Sequence, residues 1–347
     1  MPVDLYVGGI EHAILHLLYS RFLAKFMAEQ GLWDGQKILG EPFTRLVNQG
    51  MVHGRAFKDS ITGKYIPLEG ISQTESAFTV KATGNTATVL YEKMSKSKYN
   101  GVDPLLSIER HGADCVRAHM LFSAPVEDVL DWREETIVGM ERWLGRVYRL
   151  ALQHSSSKQE FAGLVLNPKS FSASEKQVWI QVQFYIKAVT EALADTISLN
   201  TMVSDLIKLT NFLVKIENDE SIGQSLKCWS VGILVRMIGP VAPALGEECW
   251  EMLSLDGRSL FEQDWPKHEQ VEVHPATHFQ CTIQINGKVR LIVDLEQSTW
   301  DSDDALLEVL QKSEAAQKWL KGGLRDMPPR RIIRAPNSKG KLVNFVY

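Results

Sequence analysis

The sequence has few of the residue patterns that mark metal-binding or disulfide-bonded proteins. Its four cysteines form no C-x-x-C pair, and its nine histidines form no H-E-x-x-H pattern. These spacings argue against a zinc knuckle or a disulfide framework and favour a reducing compartment. The scattered cysteines are Cys115, Cys228, Cys249 and Cys281.

Long apolar runs are also lacking. No stretch approaches the roughly 18 to 20 apolar residues that span a bilayer, so no membrane partner is expected. The first residues carry neither a basic and apolar leader nor an Arg- and Ser-rich presequence. With 347 residues, 44% hydrophobic and 23% charged, the chain has a globular composition and a length that predicts two or three domains.

Excess positive charge is confined to one end. The net charge of −4 argues against a general nucleic-acid binder, yet residues 315–347 hold eight basic side chains and one acidic one. That segment is therefore +7 and the remainder −11. The asymmetry predicts a polyanion partner for this end, with a merely solvated basic surface as the alternative. The basic residues are Lys318, Lys321, Arg325, Arg330, Arg331, Arg334, Lys339 and Lys341.

The first 130 residues read as a mixture of strands and helices. A short strand at Leu5–Val7, the pair Gly8-Gly9 and a helical pattern over Ile10–Gln30 form an arrangement that brings backbone close to a nucleotide. Residues 54–92 look rich in strand, with a hairpin predicted around Gly84-Asn85.

The rest of the chain predicts a helical bundle followed by a small α+β domain. The Asn286-Gly287 turn joins two predicted strands of that last domain. The predicted helices cover 103–109, 112–122, 132–153, 174–193, 199–217, 226–238, 244–253 and 301–320.

The stretch Lys93-Met94-Ser95-Lys96-Ser97, here called the signature loop, is the strongest motif. When a triphosphate loses pyrophosphate, negative charge builds on the leaving group, and ammonium groups on a mobile loop can neutralise it. Small serines let the backbone approach phosphate. Lys98 follows the loop, then Asn100-Gly101.

The signature loop matches that of class I aminoacyl-tRNA synthetases letter for letter, and its context, through Asp103-Pro104, resembles the leucyl-tRNA synthetases of bacterial and mitochondrial type. Residues 6–22, including Glu11-His12 where the isoleucyl, valyl and methionyl relatives usually carry Asp-Gln, are also similar to the leucyl family. So are residues 238–250, 284–290 and 340–344. The resemblance covers nearly the whole chain.

The resemblance implies a multidomain fold of α/β and all-α parts. Residues 1–130 would form the C-terminal part of a Rossmann-type class I catalytic domain, 131–268 a helical anticodon-binding domain, and 276–347 a small basic α+β tRNA-binding domain. The activity implied is leucine–tRNA ligase, with ATP, leucine and tRNA(Leu) as substrates, Mg²⁺ arriving with the nucleotide and no metal held by the protein.

The same resemblance implies roles for single residues. Lys96, assisted by Lys93, would contact the ATP phosphates, with Ser95 and Ser97 binding alongside. Gly8, Gly9, Glu11 and His12 would line the adenosine pocket, with Glu11 a candidate for the ribose hydroxyls and His12 equally suited to capping a helix.

Two expected family features are missing from the sequence: a His-x-Gly-His motif and the editing domain. We therefore expect the chain to be a C-terminal fragment that needs the N-terminal half of the enzyme, and by itself binds tRNA weakly and catalyses nothing. A synthetase for another amino acid, or a stand-alone RNA-binding protein derived from a synthetase, is the alternative. The short insert before the signature loop favours the mitochondrial matrix over a bacterial cytoplasm.

Overall fold

A parallel β–α–β unit opens the computed structural model. Strand β1 (Tyr6–Gly9) pairs with β2 (Leu46–Gln49) in parallel, and helix α1 (Leu15–Glu29) lies between them in sequence. A 3₁₀ turn at Ile10–His12 precedes α1, so the helix begins five residues later than the pattern predicted. The structure describes residues 1–74, 77–158, 166–255, 257–269, 278–296, 299–300, 302–312, 330–337 and 340–346.

Helix α1 leaves its apolar face uncovered. Of its side chains, those of Ala24 and Ala28 are buried and those of Leu17 and Met27 are half-buried, while six other large apolar residues are between 50% and 66% exposed. Most of the large apolar residues of this helix therefore meet solvent within this unit. The exposed residues of the helix are Leu15, Leu18, Tyr19, Phe22, Leu23 and Phe26, and Ile14, just before the helix, is exposed as well.

An antiparallel sheet carries the signature loop. The strands are β3 (Val52–Asp59), β4 (Tyr65–Ile66), β5 (Ile71–Gln73), β6 (Phe78–Val80), β7 (Ala87–Lys93) and β8 (Leu130–Asp131). Their order is β4-β3-β7, β8 lies parallel beside β3, and β5 and β6 form a separate pair. Phe57, Ile71, Val80 and Ala87 form the core beneath them.

The hairpin predicted around Gly84-Asn85 is confirmed only as a turn, in which Gly84 has a positive φ and the Val80 amide donates to the Asn85 carbonyl at 2.8 Å. Strand β6 pairs with β5 and strand β7 with β3, so a single bridge between Thr79 and Thr86 joins the two predicted arms. The carboxylate of Asp59, at the end of β3, accepts hydrogen bonds from Asn85 and from the backbone of Ile61 and Thr62. These bonds fold the turn back toward β3, and they hold the pKa of Asp59 down at about 2.

Two helices, α2 (Pro104–His111) and α3 (Ala113–Ser123), follow the sheet. The bundle comes after them and consists of α4 (Ile137–His154), α5 (Ala173–Ala194), α6 (Leu199–Ile216), α7 (Gln224–Ile238) and α8 (Pro243–Leu253). A 3₁₀ turn at Glu134–Thr136 delays the start of α4 by five residues relative to the predicted one. In the bundle core, Trp143 Nε1 donates to Thr210 Oγ1 at 2.9 Å. This bond gives the buried indole N–H a hydrogen-bond partner.

The sheet part and the bundle are tied together by backbone-directed bonds. Arg117 on α3 donates to the carbonyls of Pro240 and Val241, and the Asp114 carboxylate accepts from the amide of Leu245, 2.7 Å away. Arg45 donates to the carbonyl oxygens at the end of α5. Residues 1–269 accordingly form one compact unit, and the domain boundary placed at 130/131 stays a prediction.

Residues 270–347 form a second unit with its own core. Its strands are β9 (His278–Ile285), β10 (Lys288–Glu296), β11 (Arg331–Asn337) and β12 (Gly340–Val346), in the order β10-β9-β12-β11, with helix α9 at Asp303–Lys312. The predicted Asn286-Gly287 turn is confirmed: both residues have positive φ and connect β9 to β10. The predicted helix beyond residue 312, and the basic residues Lys318, Lys321, Arg325 and Lys339, lie outside the described residues.

Among the described residues, no helix combines the length and apolar character needed to cross a membrane.

The bundle core predicts a large cost for truncation. We expect Ile186→Ala, at a fully buried position on α5, to lower the free energy of unfolding by about 2 to 5 kcal/mol in urea. Ile61→Ala, at a position 77% exposed, is the matched control and should change it by less than about 0.5 kcal/mol. Equal losses would mean that Ile186 is not a core residue.

Candidate functional site

One part of the candidate site lies in the β–α–β unit. Tyr6 stacks on Phe43 with ring centroids 4.0 Å apart, and its hydroxyl pairs with the ring of His16 on α1. These contacts hold the end of β1 against the start of α1. A cavity of about 340 Å³ lies here, lined mainly by residues 6–9 together with His12, His16, Leu17, Leu46 and Asn48.

Gly8 and Gly9 present bare backbone to this cavity. A Cβ added to Gly8 would meet nothing within 4 Å, so the space over its backbone is open to a ligand. A Cβ added to Gly9 would lie 2.5 Å from Oε2 of Glu11, because the Glu11 carboxylate folds back over that glycine. A side chain at position 9 would therefore displace Glu11.

The other part is the signature loop, which one buried carboxamide holds in place. Asn100 is 3% exposed and lies under the loop. Its Oδ1 accepts from the Ser95 amide at 2.8 Å, and its Nδ2 donates to the carbonyls of Glu92 at 2.9 Å and Gly54 at 3.2 Å. Asn100 thus ties together the strand before the loop, the loop itself and strand β3.

Gly54 allows the loop to lie directly on β3. A Cβ at this position would come within 1.9 Å of the carbonyl oxygen of Asn100, a distance that neither backbone could accommodate. The residue before Asn100, Tyr99, has a φ of 52°, which turns the chain out of the loop. The sequence revealed neither the close approach at Gly54 nor the hydrogen bonds of Asn100, since Asn100-Gly101 has the pattern of an ordinary turn.

The three lysines differ in their partners. Lys98 forms an ion pair with Glu92 at 2.9 Å, and Tyr65 donates its hydroxyl to the same carboxylate at 2.7 Å. The hydrogen bond to Glu92 raises the pKa of Lys98. Lys93 and Lys96 are exposed, and within the described part of the chain neither ammonium group has a hydrogen-bond or ion-pair partner. Both are available to an anion.

The predicted residues fall into two groups. Gly8, Gly9 and His12 line the first cavity, and Ser95 and Lys96 line a second one of about 870 Å³ between the loop and α2. Glu11, Lys93 and Ser97 lie beside these cavities in the chain; the hydroxyl of Ser97 pairs with that of Ser95 at 2.9 Å. Their ligand contacts stay predictions. In the described ranges, no three His, Cys, Asp or Glu side chains could hold a metal ion together.

Comparison with protein families identifies the helical part. A model of the anticodon-binding domain of tRNA ligase matches residues 175–305, which span α5 to α8 and continue into the second unit.

Sequence relatives extend the similarity over the whole chain. A leucine–tRNA ligase of Parasynechococcus marenigrum (strain WH8102) is 41% identical over 351 residues, which cover 100% of this chain and 38% of the relative. A mitochondrial leucine–tRNA ligase of Saccharomyces cerevisiae is 36% identical over 328 residues, covering 92% of this chain and 36% of the relative. The chain thus spans less than two fifths of the length of these relatives. One of them is bacterial and the other is mitochondrial.

A solved structure agrees. The ternary complex of Agrobacterium radiobacter K84 LeuRS with tRNA and LeuAMS matches with a TM-score of 0.67 and 25% identity, over 100% of this chain and 37% of that one.

The Asn100 contacts predict how the loop responds to a single change. Asn100→Ala should destabilise the first unit by about 1 to 3 kcal/mol, because it removes the acceptor of the Ser95 amide and a donor to the carbonyls of Glu92 and Gly54. Hydrogen exchange at the Ser95 amide should accelerate beyond the change in global stability. Asn211→Ala, at an exposed position on α6, is the control and should alter neither quantity. An unchanged Ser95 exchange rate would contradict the clamp.

Proposed function

Because this chain is homologous along its whole length to the C-terminal part of the leucine–tRNA ligases, we propose that it supplies the signature-loop part of such an enzyme. The reaction joins leucine to tRNA(Leu) at the expense of ATP and releases AMP and pyrophosphate. The observation that carries this proposal is the difference among the three lysines. Lys98 forms an ion pair with Glu92, whereas the exposed ammonium groups of Lys93 and Lys96 pair with no carboxylate among the described residues.

The role proposed for the loop follows from the charge that moves in the first step. The carboxylate oxygen of leucine attacks the α-phosphorus of ATP, the bond to the bridging oxygen breaks, and its electron pair leaves with pyrophosphate. Lys96, assisted by Lys93, neutralises the growing charge on that leaving group, while Ser95 and Ser97 donate hydrogen bonds. An interaction that strengthens as the bond breaks raises the rate rather than the affinity.

The role proposed for the β–α–β unit is to hold the adenosine. The open backbone at Gly8 lets the nucleotide approach closely, and Gly9 and His12 lie in the wall of the same cavity. Glu11, exposed beside Gly9, is placed to accept from the ribose hydroxyls. Mg²⁺ arrives with the triphosphate rather than on protein ligands.

The uncovered face of α1 supports a further protein partner. Parallel sheets are normally buried on both faces, and here a parallel pair of two strands carries a helix whose apolar side is exposed. We propose that the N-terminal part of the synthetase, with the remaining strands and the His-x-Gly-His motif, covers this face and completes the site.

The partner proposed for the rest of the chain is tRNA(Leu). The bundle carries the anticodon-binding similarity, and the second unit presents the exposed side chains of Arg330 and Arg331. Arg334 is different, because it donates to the carbonyl of Trp300 and pairs with Asp303. Contacts of exposed arginines with phosphates position an RNA without reading its sequence. For the compartment we propose the mitochondrial matrix, with a bacterial cytoplasm as the alternative.

The deciding experiment is leucine-dependent ATP–pyrophosphate exchange. We expect no exchange from the chain alone, and exchange once the N-terminal part of a bacterial relative is added. In that reconstituted enzyme, Lys96→Ala should lower kcat about 10²- to 10³-fold with little change in KM for ATP. Lys64→Ala, an exposed lysine outside the loop, should leave kcat unchanged.

Three outcomes would count against this proposal. Exchange by the chain alone would show that the site is complete without a partner. A Lys96→Ala enzyme with normal kcat would remove the lysine from the reaction. No exchange in either mixture, with tRNA still bound, would favour a stand-alone RNA-binding protein.

Salt dependence tests the tRNA contact of the second unit. Replacing Arg330 and Arg331 together by Ala should weaken tRNA binding and lower the slope of log K against log salt by about 1 to 2, since each phosphate contact releases close to one counterion. The effect should be similar for tRNA(Leu) and a non-cognate tRNA. The matched double variant Lys37→Ala/Lys64→Ala should keep the slope. An unchanged slope in the arginine variant would exclude these contacts.

A further inference from the structure

The helix that follows the signature loop ends in a cluster of opposite charges. Helix α2 begins just after Asp103, whose carboxylate accepts from the Leu105 amide at 2.9 Å, and it ends at His111. The His111 ring lies between two carboxylates: Nδ1 is 2.7 Å from Glu141 on α4, and Nε2 is 3.3 Å from Glu134 in the 3₁₀ turn. The end of α2 is thereby joined to the first helix of the bundle.

The surroundings of His111 favour its charged form. Its side chain is 16% exposed, and the hydrogen bond to Glu141 is the largest of the contacts that raise its pKa above 6.5. The other charged or titratable groups around it are Arg110 on its own helix, which pairs with Glu134 at 3.2 Å, and Cys115 and His119 on α3. The negative end of the α2 dipole also favours a cation at this position.

We propose that His111 is a positioning residue for the signature loop. In its charged form it fixes the end of α2 against α4, and α2, only eight residues long, carries that constraint back to the segment that follows Asn100. The bundle and the loop then move as one body. When His111 loses its proton, the electrostatic attraction of its ring to Glu141 and Glu134 is lost. Helix α2 and the loop can then move relative to the bundle.

The direction of the pH effect follows from the raised pKa. A group with a higher pKa in the folded state stabilises that state fully below its ordinary value and loses this contribution as the pH rises through the higher one. The joint should therefore hold at pH 6, below the ordinary value, and loosen as the pH rises through the raised one. If the proposed function holds, tRNA binding at the bundle would change the position of the loop less at high pH than at low pH.

Trypsin cleavage after Lys93 and Lys96 in the intact chain tests the joint, with no nucleotide or tRNA present. At pH 6, His111→Gln should be cleaved roughly threefold to tenfold faster than the matched control His268→Gln, an exposed histidine. At pH 9 the two rates should converge, because the wild-type joint has also lost its charge. His111→Lys, which keeps its charge at pH 9, should be cleaved more slowly there than the control.

Other results would overturn the proposal. An equal acceleration of His111→Gln at both pH values, together with a lower Tm, would mean that the ring only fills space. No acceleration at either pH would mean that the joint does not restrain the loop. Because this digestion needs neither catalysis nor the N-terminal part, its failure is distinguishable from failure of the proposed activity, which pyrophosphate exchange measures.

Discussion

The geometry of the candidate site depends on one buried carboxamide. Asn100 joins the strand before the signature loop, the loop and strand β3, and it does so with both ends of a single side chain. A buried polar group is worth little in net stability but costly to leave unpaired, so this network specifies one loop position rather than merely strengthening it. Lys98 and Glu92 add to the same frame, which leaves Lys93 and Lys96 as the exposed charges on a supported base.

The backbone of the loop is fixed by Asn100, while the side chains of Lys93 and Lys96 are exposed. This arrangement suits a reaction in which negative charge develops on a leaving group. The base supplies a defined starting position, and long lysine stems supply reach. The same logic extends outward from the loop. Asn100 anchors one side of α2 and the charged contacts of His111 the other, while Asp114 and Arg117 bind α3 to the bundle. The part proposed to sense tRNA and the part proposed to bind ATP are thus connected through side chains rather than through a flexible linker.

Periodicity predicted most helices of the bundle and the Asn286-Gly287 hairpin, because local patterns and local turn chemistry decide those elements. It failed where tertiary contacts override local preference. Asp59 draws Asn85 toward β3, so the turn at Gly84 does not extend into a pair of β6 with β7. The motif identified the signature loop, but Gly54 and Glu92 were missed, since their importance lies in close approach and in pairing, neither of which leaves a pattern in a single sequence.

The uncovered stripe of α1 also bears on how this chain behaves in solution. Seven large apolar side chains on one helix and its entry turn form a surface that water penalises and that other apolar surfaces would cover. Stability of the β–α–β unit is then a function of concentration, since whatever binds the folded form and not the unfolded one shifts the balance by mass action. Purified without the proposed N-terminal part, the chain would meet its own copies first, and aggregation would compete with the proposed assembly.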